Sequence, residues 1–348
     1  MIKLSQAHIL GTIIATLLGI FIVPCVIYFS KKNHLIDVPN ERKIHHGQIS
    51  RLGGVAIWIS VMLTFAFLIA LSYYPRGYGL SAIITGGSLM FLMGLIDDIY
   101  GLGPKFKLFI QIAIATIVIL LGVRIEIFYN PFGANFDLGW LSYPVTLLWI
   151  VGITNAINFI DGIDGLAGSI ISISAVAIGI ISLALAPAVP ITALIAFILT
   201  GAIFAFLMFN YNPAKIFMGD SGALYAGFLL ATLSITGVVK PSHDACMYLP
   251  ILILIVPIMD LAFSSSRRLI HKESPFVADA EHIHHKLLHA GYSQDKLVLL
   301  LATISMIGAL LSIFTVTTKS KFIIIALSLI GVLLVLNTIS KLIKKKDN

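Results

Sequence analysis

Apolar runs long enough to cross a lipid bilayer dominate this chain. A helix needs about 20 predominantly apolar residues to cross a hydrocarbon core of about 30 Å, because lipid offers no partners to unsatisfied backbone groups. Such runs leave little of the 348 residues for a soluble domain. The sequence therefore predicts an all-α, polytopic integral membrane protein with about eleven transmembrane helices, at 7–30, 52–72, 82–99, 106–123, 143–159, 166–186, 189–209, 222–239, 247–266, 297–317 and 321–340.

The basic residues predict how the chain is oriented in the membrane. Only 11% of the residues are charged, against about a quarter in soluble domains. Lysine and arginine favour cytoplasmic loops, and an odd number of spans puts the termini on opposite sides. With the N-terminus outside and the C-terminus cytoplasmic, all but six of the 23 basic residues lie inside. The six are Lys3, Arg76, Arg124, Lys240, Lys319 and Lys321. A basic inner face beside anionic lipid accounts for the net charge of +7, with no nucleic acid partner.

The acidic residues collect on the same side of the membrane. Of 16 acidic residues, only Glu126, Asp137 and Asp244 fall outside in this topology. Asp97 and Asp98 are adjacent at the C-terminal end of an apolar helix, where the helix dipole disfavours anions and the two carboxylates repel each other. A bound cation or a proton-accepting role would relieve this repulsion. The alternative is a solvated turn that merely ends the helix.

A second polar segment follows the fifth apolar run. Asn155 and Asn158 share one face of the helix, and Asp161 and Asp164 follow in a turn punctuated by glycines. Amides can hydrogen-bond to a base or a sugar, and glycines let the backbone approach a ligand closely. The two acids can serve a metal or stabilise the turn. A calcium-binding loop is disfavoured, because its remaining oxygen ligands and its terminal glutamate are missing.

Two further segments complete the polar set on this side. Asp220, in Phe217-Met218-Gly219-Asp220-Ser221-Gly222, opens the eighth apolar run, where it can cap the helix, hold Mg²⁺ against phosphate oxygens, or do both. The 267–296 loop carries arginines and a cluster of histidines. Structural zinc is disfavoured there, because no cysteine lies nearby. Arginine and histidine are better suited to holding a pyrophosphate through charge-assisted hydrogen bonds.

With these four sites in order, the chain resembles the polyprenyl-phosphate N-acetylhexosamine-1-phosphate transferase superfamily. Within it, the chain is most similar to the bacterial undecaprenyl-phosphate GlcNAc-1-phosphate transferases, over nearly its whole length. Other matching segments are Asp37-Val38-Pro39-Asn40 with Arg42, Lys43 and His45, then Arg51-Leu52-Gly53-Gly54, and Leu102, Lys107 and Gln111 after the acidic pair. The departures are small: Gln48 and Ser50 replace usual prolines, and Ala223 replaces a common serine.

The resemblance implies roles for individual residues. Residues 1–348 would form one transferase domain, whose active site is built by cytoplasmic loops at about 31–51, 97–107, 160–165, 210–221 and 267–296. The implied catalytic residues are Asp97, Asp98, Asp161 and Asp164, with Asp97 or Asp98 acting as base toward the lipid phosphate. The implied substrate-binding residues are Lys107, Asn155, Asn158, Arg267, His282, His284 and His285. Asp220 and Asp98 would be the ligands of Mg²⁺, for which Mn²⁺ could substitute.

The implied reaction transfers GlcNAc-1-phosphate from UDP-GlcNAc to undecaprenyl phosphate and releases UMP. This would be the first membrane step of a cell-envelope polysaccharide such as teichoic acid or O-antigen. The sequence leaves open another UDP-N-acetylamino sugar as donor, and a two-step route through an aspartyl-phosphate. A homodimer is implied by the resemblance alone.

A membrane protein of another class, an ion-coupled transporter, is the main rival. Transporters usually bind near the midplane of the membrane, whereas the acids here lie at inner helix ends. An intramembrane aspartyl protease is a weaker rival, because it needs two acids within the bilayer.

Overall fold

The computed structural model describes residues 5–33, 35–37, 49–73, 79–128, 135–185, 187–239, 247–271, 287–288 and 291–318. Most of them are helical. The helices are α1 Gln6–Lys32, α2 Gly53–Ala70, α3 Leu80–Tyr100, α4 Pro104–Leu120, α5 Ser142–Ile160, α6 Leu166–Ala184, α7 Pro190–Asn210, α8 Gly219–Ser234, α9 Tyr248–Ile253, α10 Ile255–His271 and α11 Gln294–Thr318. A 3₁₀ turn, Gly139–Leu141, precedes α5, and a π-helical turn, Ile235–Val239, extends α8.

Eight of these helices are long and apolar enough to cross a membrane, which makes the chain a multi-pass membrane protein. They are α1, α2, α3, α5 with its preceding turn, α6, α7, α8 with its π-helical turn, and α11. α4 occupies the predicted fourth run and has 17 residues. The predicted eleventh run, 321–340, lies outside the described residues.

The predicted ninth run is not one helix. It divides at Leu254 into α9 and α10. Pro257 has no N–H to donate to the carbonyl of Ile253 one turn earlier. The Ser174 hydroxyl of α6 donates to that carbonyl instead, at 3.2 Å. Proline thus accounts for the weakness at this point, and a neighbouring helix supplies the missing donor.

The structure also contains two small strand pairs, which the all-α prediction omitted. β1 (Ile36–Asp37) pairs antiparallel with β2 (Ile49–Ser50), and β3 (Ile127–Phe128) pairs antiparallel with β4 (Phe136–Asp137). Each strand has only two residues, so neither pair forms a sheet layer. β2 also makes a parallel bridge to Ile216, just before α8. That bridge brings the loop after α1 to the same end of the bundle as the start of α8.

α8 is the central helix of the bundle. The 18-residue window that marks it as a span is fully buried, as expected of a helix that is apolar on all sides. α2, α3, α5, α6 and α7 all pack against it. At its N-terminus, α2 and α3 approach through Gly54 and Gly94. A Cβ on Gly94 would lie 2.6 Å from the carbonyl oxygen of Asp220, and one on Gly54 would lie 2.2 Å from the amide nitrogen of Gly222.

We predict that Gly94→Ala destabilises the protein, because the new methyl group meets backbone rather than a movable side chain. Overpacking of this kind costs about 1–3 kcal/mol. Gly152→Ala in α5 is the matched control, since its Cβ would meet nothing within 4 Å. Thermal unfolding in detergent should show a lower midpoint for Gly94→Ala and an equal or higher midpoint for the control. Equal unfolding midpoints for both variants would show that α3 does not approach the backbone of α8 as closely as described.

Candidate active site

Three of the four predicted polar segments meet at one end of the bundle. Asp97 and Asp98 are near the C-terminus of α3, Lys107 is in the first turns of α4, and Asp220 is in the first turn of α8. Asn155 and Asn158 are in the last turns of α5, just before Asp161 and Asp164. Arg124, Glu126 and the β3–β4 pair lie after α4 and before α5, at the other end of those helices. Polar residues separated by more than 100 positions in sequence therefore form one cluster.

Asp98 holds the N-terminus of α8. Its Oδ1 accepts a hydrogen bond from the amide of Asp220 at 2.8 Å. Its Oδ2 accepts from the amide of Ser221 at 2.9 Å and from the Ser221 hydroxyl at 2.7 Å. The first amides of a helix have no partner within the helix, and their dipoles favour a negative charge. Asp98 thus caps α8 from α3, a role that could not be distinguished from that of Asp97 in the sequence.

A glycine makes this close approach possible. Gly219 has a φ of +69°, which favours glycine. A Cβ at Gly219 would lie 2.2 Å from the carbonyl oxygen of Arg51 and 2.7 Å from Oδ2 of Asp98. The loop before α8 is also fixed to the start of α2, where the amides of Gly53 and Gly54 donate to the carbonyls of Phe217 and Met218. The predicted Arg51–Gly54 segment is therefore part of the framework that holds Asp220.

Lys107 lies between two carboxylates. Its ammonium is 2.7 Å from Oδ2 of Asp97 and also donates to Oδ2 of Asp220. Oδ1 of Asp220 accepts from the Asn158 amide at 2.7 Å, and Oδ1 of Asp97 accepts from the Leu102 amide at 2.6 Å. The Asp220 side chain is 31% exposed and that of Asp97 only 9%. Asp220 is thus the more accessible of the two carboxylates to a ligand.

Asn155 is held differently from Asn158. Its amide nitrogen donates to Oε1 of Gln111 at 2.6 Å and to the carbonyl of Val151 at 2.8 Å. Gln111 is buried and lies one helical turn after Lys107. The pair ties α4 to α5 beneath the Lys107–Asp220 contact. Gln111 matched the family pattern but was not predicted as a site residue, and its spacing from Lys107 was the available signal.

The Asp161–Gly165 turn is fixed to the loop before α8. Oδ2 of Asp164 accepts from the amide of Ala214 at 3.0 Å. Asn210, the last residue of α7, accepts from the Gly165 amide at 3.0 Å and donates to the carbonyl of Ile216 at 2.8 Å. Asn210 was not predicted, because a single amide at a helix end carries no distinctive pattern. These contacts make Asp164 a link between two loops of the cluster.

Several carboxylates of the cluster lie close enough together to affect one another's charge. Desolvation raises the pKa of the Asp161 carboxyl well above its usual range, and the charges of Asp220, Asp98 and Asp164 raise it further. Within the described ranges, no three His, Cys, Asp or Glu side chains are placed so that they could hold a metal ion together. Carboxylate and amide oxygens are the donors that Mg²⁺ prefers in proteins, and Asp220 and Asn158, which are hydrogen-bonded to each other, bring one of each together.

Several predicted residues cannot be placed in this cluster. His282, His284 and His285 lie outside the described residues, as does the 38–48 part of the first loop. Arg267 belongs to α10, but its side chain is likewise outside the described part of the structure. The cluster as described is therefore built by α3, α4, α5, α8 and the loops that join them.

The chain is similar to known proteins, and the part of it that matches a family model contains the helices of this cluster. Residues 80–238 match the Glycosyl transferase family 4 family. A Bacillus subtilis protein named "Probable undecaprenyl-phosphate N-acetylglucosaminyl 1-phosphate transferase" is 36% identical over 94% of this chain and 89% of its own length. A Mycobacterium leprae protein named "Decaprenyl-phosphate N-acetylglucosaminephosphotransferase" is 30% identical over 86% of this chain and 81% of its own length. An Escherichia coli protein named "Undecaprenyl-phosphate alpha-N-acetylglucosaminyl 1-phosphate transferase" is 29% identical over 86% of this chain and 84% of its own length. The chain therefore belongs to the polyprenyl-phosphate N-acetylglucosamine-1-phosphate transferase family.

Proposed function

We propose that this protein transfers GlcNAc-1-phosphate from UDP-GlcNAc to undecaprenyl phosphate, giving undecaprenyl-diphosphate-GlcNAc and UMP. The main support for this function is the cluster of Asp97, Lys107, Asn158 and Asp220 at one end of a membrane-spanning bundle. A lipid phosphate sits at the membrane surface because its tail is in the hydrocarbon. A site at the ends of the helices can therefore meet both this acceptor and a water-soluble donor. Such a product would be the first lipid-linked intermediate of an envelope polysaccharide.

We propose that Mg²⁺ binds at Asp220, beside the Asn158 side chain that is hydrogen-bonded to the same carboxylate. A bound Mg²⁺ would neutralise charge that develops on the phosphoryl oxygens. Asp220 has the most accessible carboxylate of the ion-paired group, and its orientation is set by Asn158 and by the capped start of α8. The support for this metal site is that a carboxylate and an amide, which carry the oxygen donors that Mg²⁺ prefers, meet at Asp220.

The chain's own residues would orient the two phosphates. An oxygen of the lipid phosphate attacks the sugar-linked phosphorus of the donor, and the bond from that phosphorus to the UMP oxygen breaks. Lys107 is placed to stabilise negative charge on either phosphate, because its ammonium is at the centre of the cluster. Asn155 and Gln111 fix α5 against α4, so that Asn158 and Lys107 keep their spacing.

We assign the proton-accepting role to Asp97 rather than to Asp98. Both oxygens of Asp98 accept hydrogen bonds from the start of α8, which leaves the carboxylate committed to the fold. Both oxygens of Asp97 are occupied too, but only one of them by the backbone, and the other contacts Lys107, the residue placed to meet phosphate. The same geometry favours Asp97 as the nucleophile if the reaction proceeds through an aspartyl-phosphate.

UMP release by the purified protein tests this function. With UDP-GlcNAc, undecaprenyl phosphate and Mg²⁺, the wild type should release UMP only when all three are present. Asp220→Asn should lower the rate by about 10²–10³-fold, because it removes charge at the transferring phosphate. Asp137→Asn, which removes a carboxylate from β4 at the other end of the bundle, is the control and should keep wild-type activity. Lipid-independent release, or full activity of Asp220→Asn, would contradict the proposal.

We further propose that the cluster faces the cytoplasm, as the distribution of basic residues predicts. Pro187 lies in the exposed turn between α6 and α7, and Lys215 is exposed in the loop before α8. The two positions are at opposite ends of α7. In a background without Cys25 and Cys246, Pro187→Cys should react with a membrane-impermeant maleimide in intact cells. Lys215→Cys should react only after permeabilisation, and the reverse pattern would invert the topology.

A further inference from the structure

The placement of Lys107 suggests more than a phosphate contact. Its ammonium contacts carboxylates from two different helices, Asp97 of α3 and Asp220 of α8. Lys107 and Asp97 are largely buried, with 16% and 9% of their side chains exposed. Charges this far from water interact more strongly than they do at a surface, and a carboxylate that loses its partner there is costly. Lys107 is thus the counter-ion that these two carboxylates share.

Both oxygens of Asp220 are occupied in this arrangement. Oδ2 holds Lys107 and Oδ1 holds the Asn158 amide. A divalent cation that binds Asp220 must therefore replace one of these partners. The lysine is the partner that like charge would repel, whereas the Asn158 side chain can turn its own oxygen toward a cation.

We propose that Lys107 acts as an exchangeable counter-ion, which leaves Asp220 when a divalent cation binds there and stays on Asp97. The 2.7 Å contact with Asp97 gives the ammonium a position to keep after the exchange. This inference rests on the proposed Mg²⁺ site at Asp220 and adds a positioning role for Lys107 in it. The exchange leaves the ammonium of Lys107 with one carboxylate partner instead of two, beside the place where substrate phosphate must bind. Binding of the metal would thus also place the ammonium of Lys107 where it can contact a substrate phosphate.

Lys107 would also set how tightly the free enzyme binds metal. An ion pair that must be broken weakens cation binding by the free energy of that pair. A hydrogen bond between charged groups of this kind changes an equilibrium constant by roughly tenfold or more, so the ion pair should weaken metal binding by about that factor. Removing the ammonium should therefore tighten metal binding in the absence of substrate, although it should also impair turnover.

Metal binding without substrate tests the exchange. Mn²⁺ binding to the purified full-length protein would be followed by electron paramagnetic resonance, and thermal unfolding would be recorded at increasing Mg²⁺. Lys107→Gln should bind Mn²⁺ roughly tenfold or more tightly than the wild type. It should also unfold at a lower temperature without metal and gain more stability from Mg²⁺. Lys105→Gln is the matched control, because it removes the same charge from an exposed position two residues earlier on α4 and should bind metal like the wild type.

A second variant shifts the balance in the opposite direction and covers the case in which Lys107→Gln does not fold. Asp97→Asn leaves Lys107 with Asp220 as its only carboxylate in the cluster, so it should weaken Mn²⁺ binding. Equal or weaker Mn²⁺ binding by folded Lys107→Gln, or unchanged binding by Asp97→Asn, would overturn the exchange. Absence of Mn²⁺ binding in the wild type would overturn it as well. These results need no substrate, so they are independent of whether UDP-GlcNAc is the donor.

Discussion

The hydrogen bonds from the first amides of α8 to the carboxylate of Asp98 are the contact on which the rest of the site depends. They join the end of α3 to the start of the central helix. Gly94, Gly54 and Gly219 leave the room that this contact requires, because side chains at these positions would meet backbone or the carboxylate itself. Once α8 begins at this point, Asp220 faces Lys107 and Asn158. Packing and chemistry are therefore linked through one carboxylate.

The site also depends on the carboxylates that its described residues bring close together. Lys107 serves Asp97 and Asp220, while Asp161 stands among carboxylates that disfavour its charged form. Charged residues at the ends of membrane helices are costly, so a group of several carboxylates there points to a function. Phosphoryl transfer supplies one, because its catalysis consists mainly of positioning and of cations held against phosphate oxygens. The arrangement of charge and membership of the transferase family therefore support the same reaction.

The sequence predicted the membrane-spanning character and the membership of the cluster, but it did not predict the contacts. Apolar runs mark helices, and polar residues at the ends of such helices must meet at one membrane face, so Asp97, Asn158 and Asp220 were foreseeable. Lys107 followed from the family resemblance. Nothing local distinguishes Asp98 from Asp97, since their difference arises from how α3 packs against α8. The pairing of Asn155 with Gln111 and the two contacts of Asn210 likewise depend on helix packing. The division at Leu254 had a local signal in Pro257, which hydropathy alone overlooks.

Hydrogen exchange at the start of α8 tests most directly whether Asp98 builds the site. Mass spectrometry of the purified protein would follow the amides of residues 217–224 in the wild type, Asp98→Ala and the neighbouring Asp97→Ala. We predict that Asp98→Ala speeds exchange of the Asp220 and Ser221 amides by about tenfold or more, because both lose their acceptor. Asp97→Ala should leave that segment as protected as in the wild type. Unchanged protection in Asp98→Ala would show that α8 begins correctly without the carboxylate, and that Asp98 does not build the site.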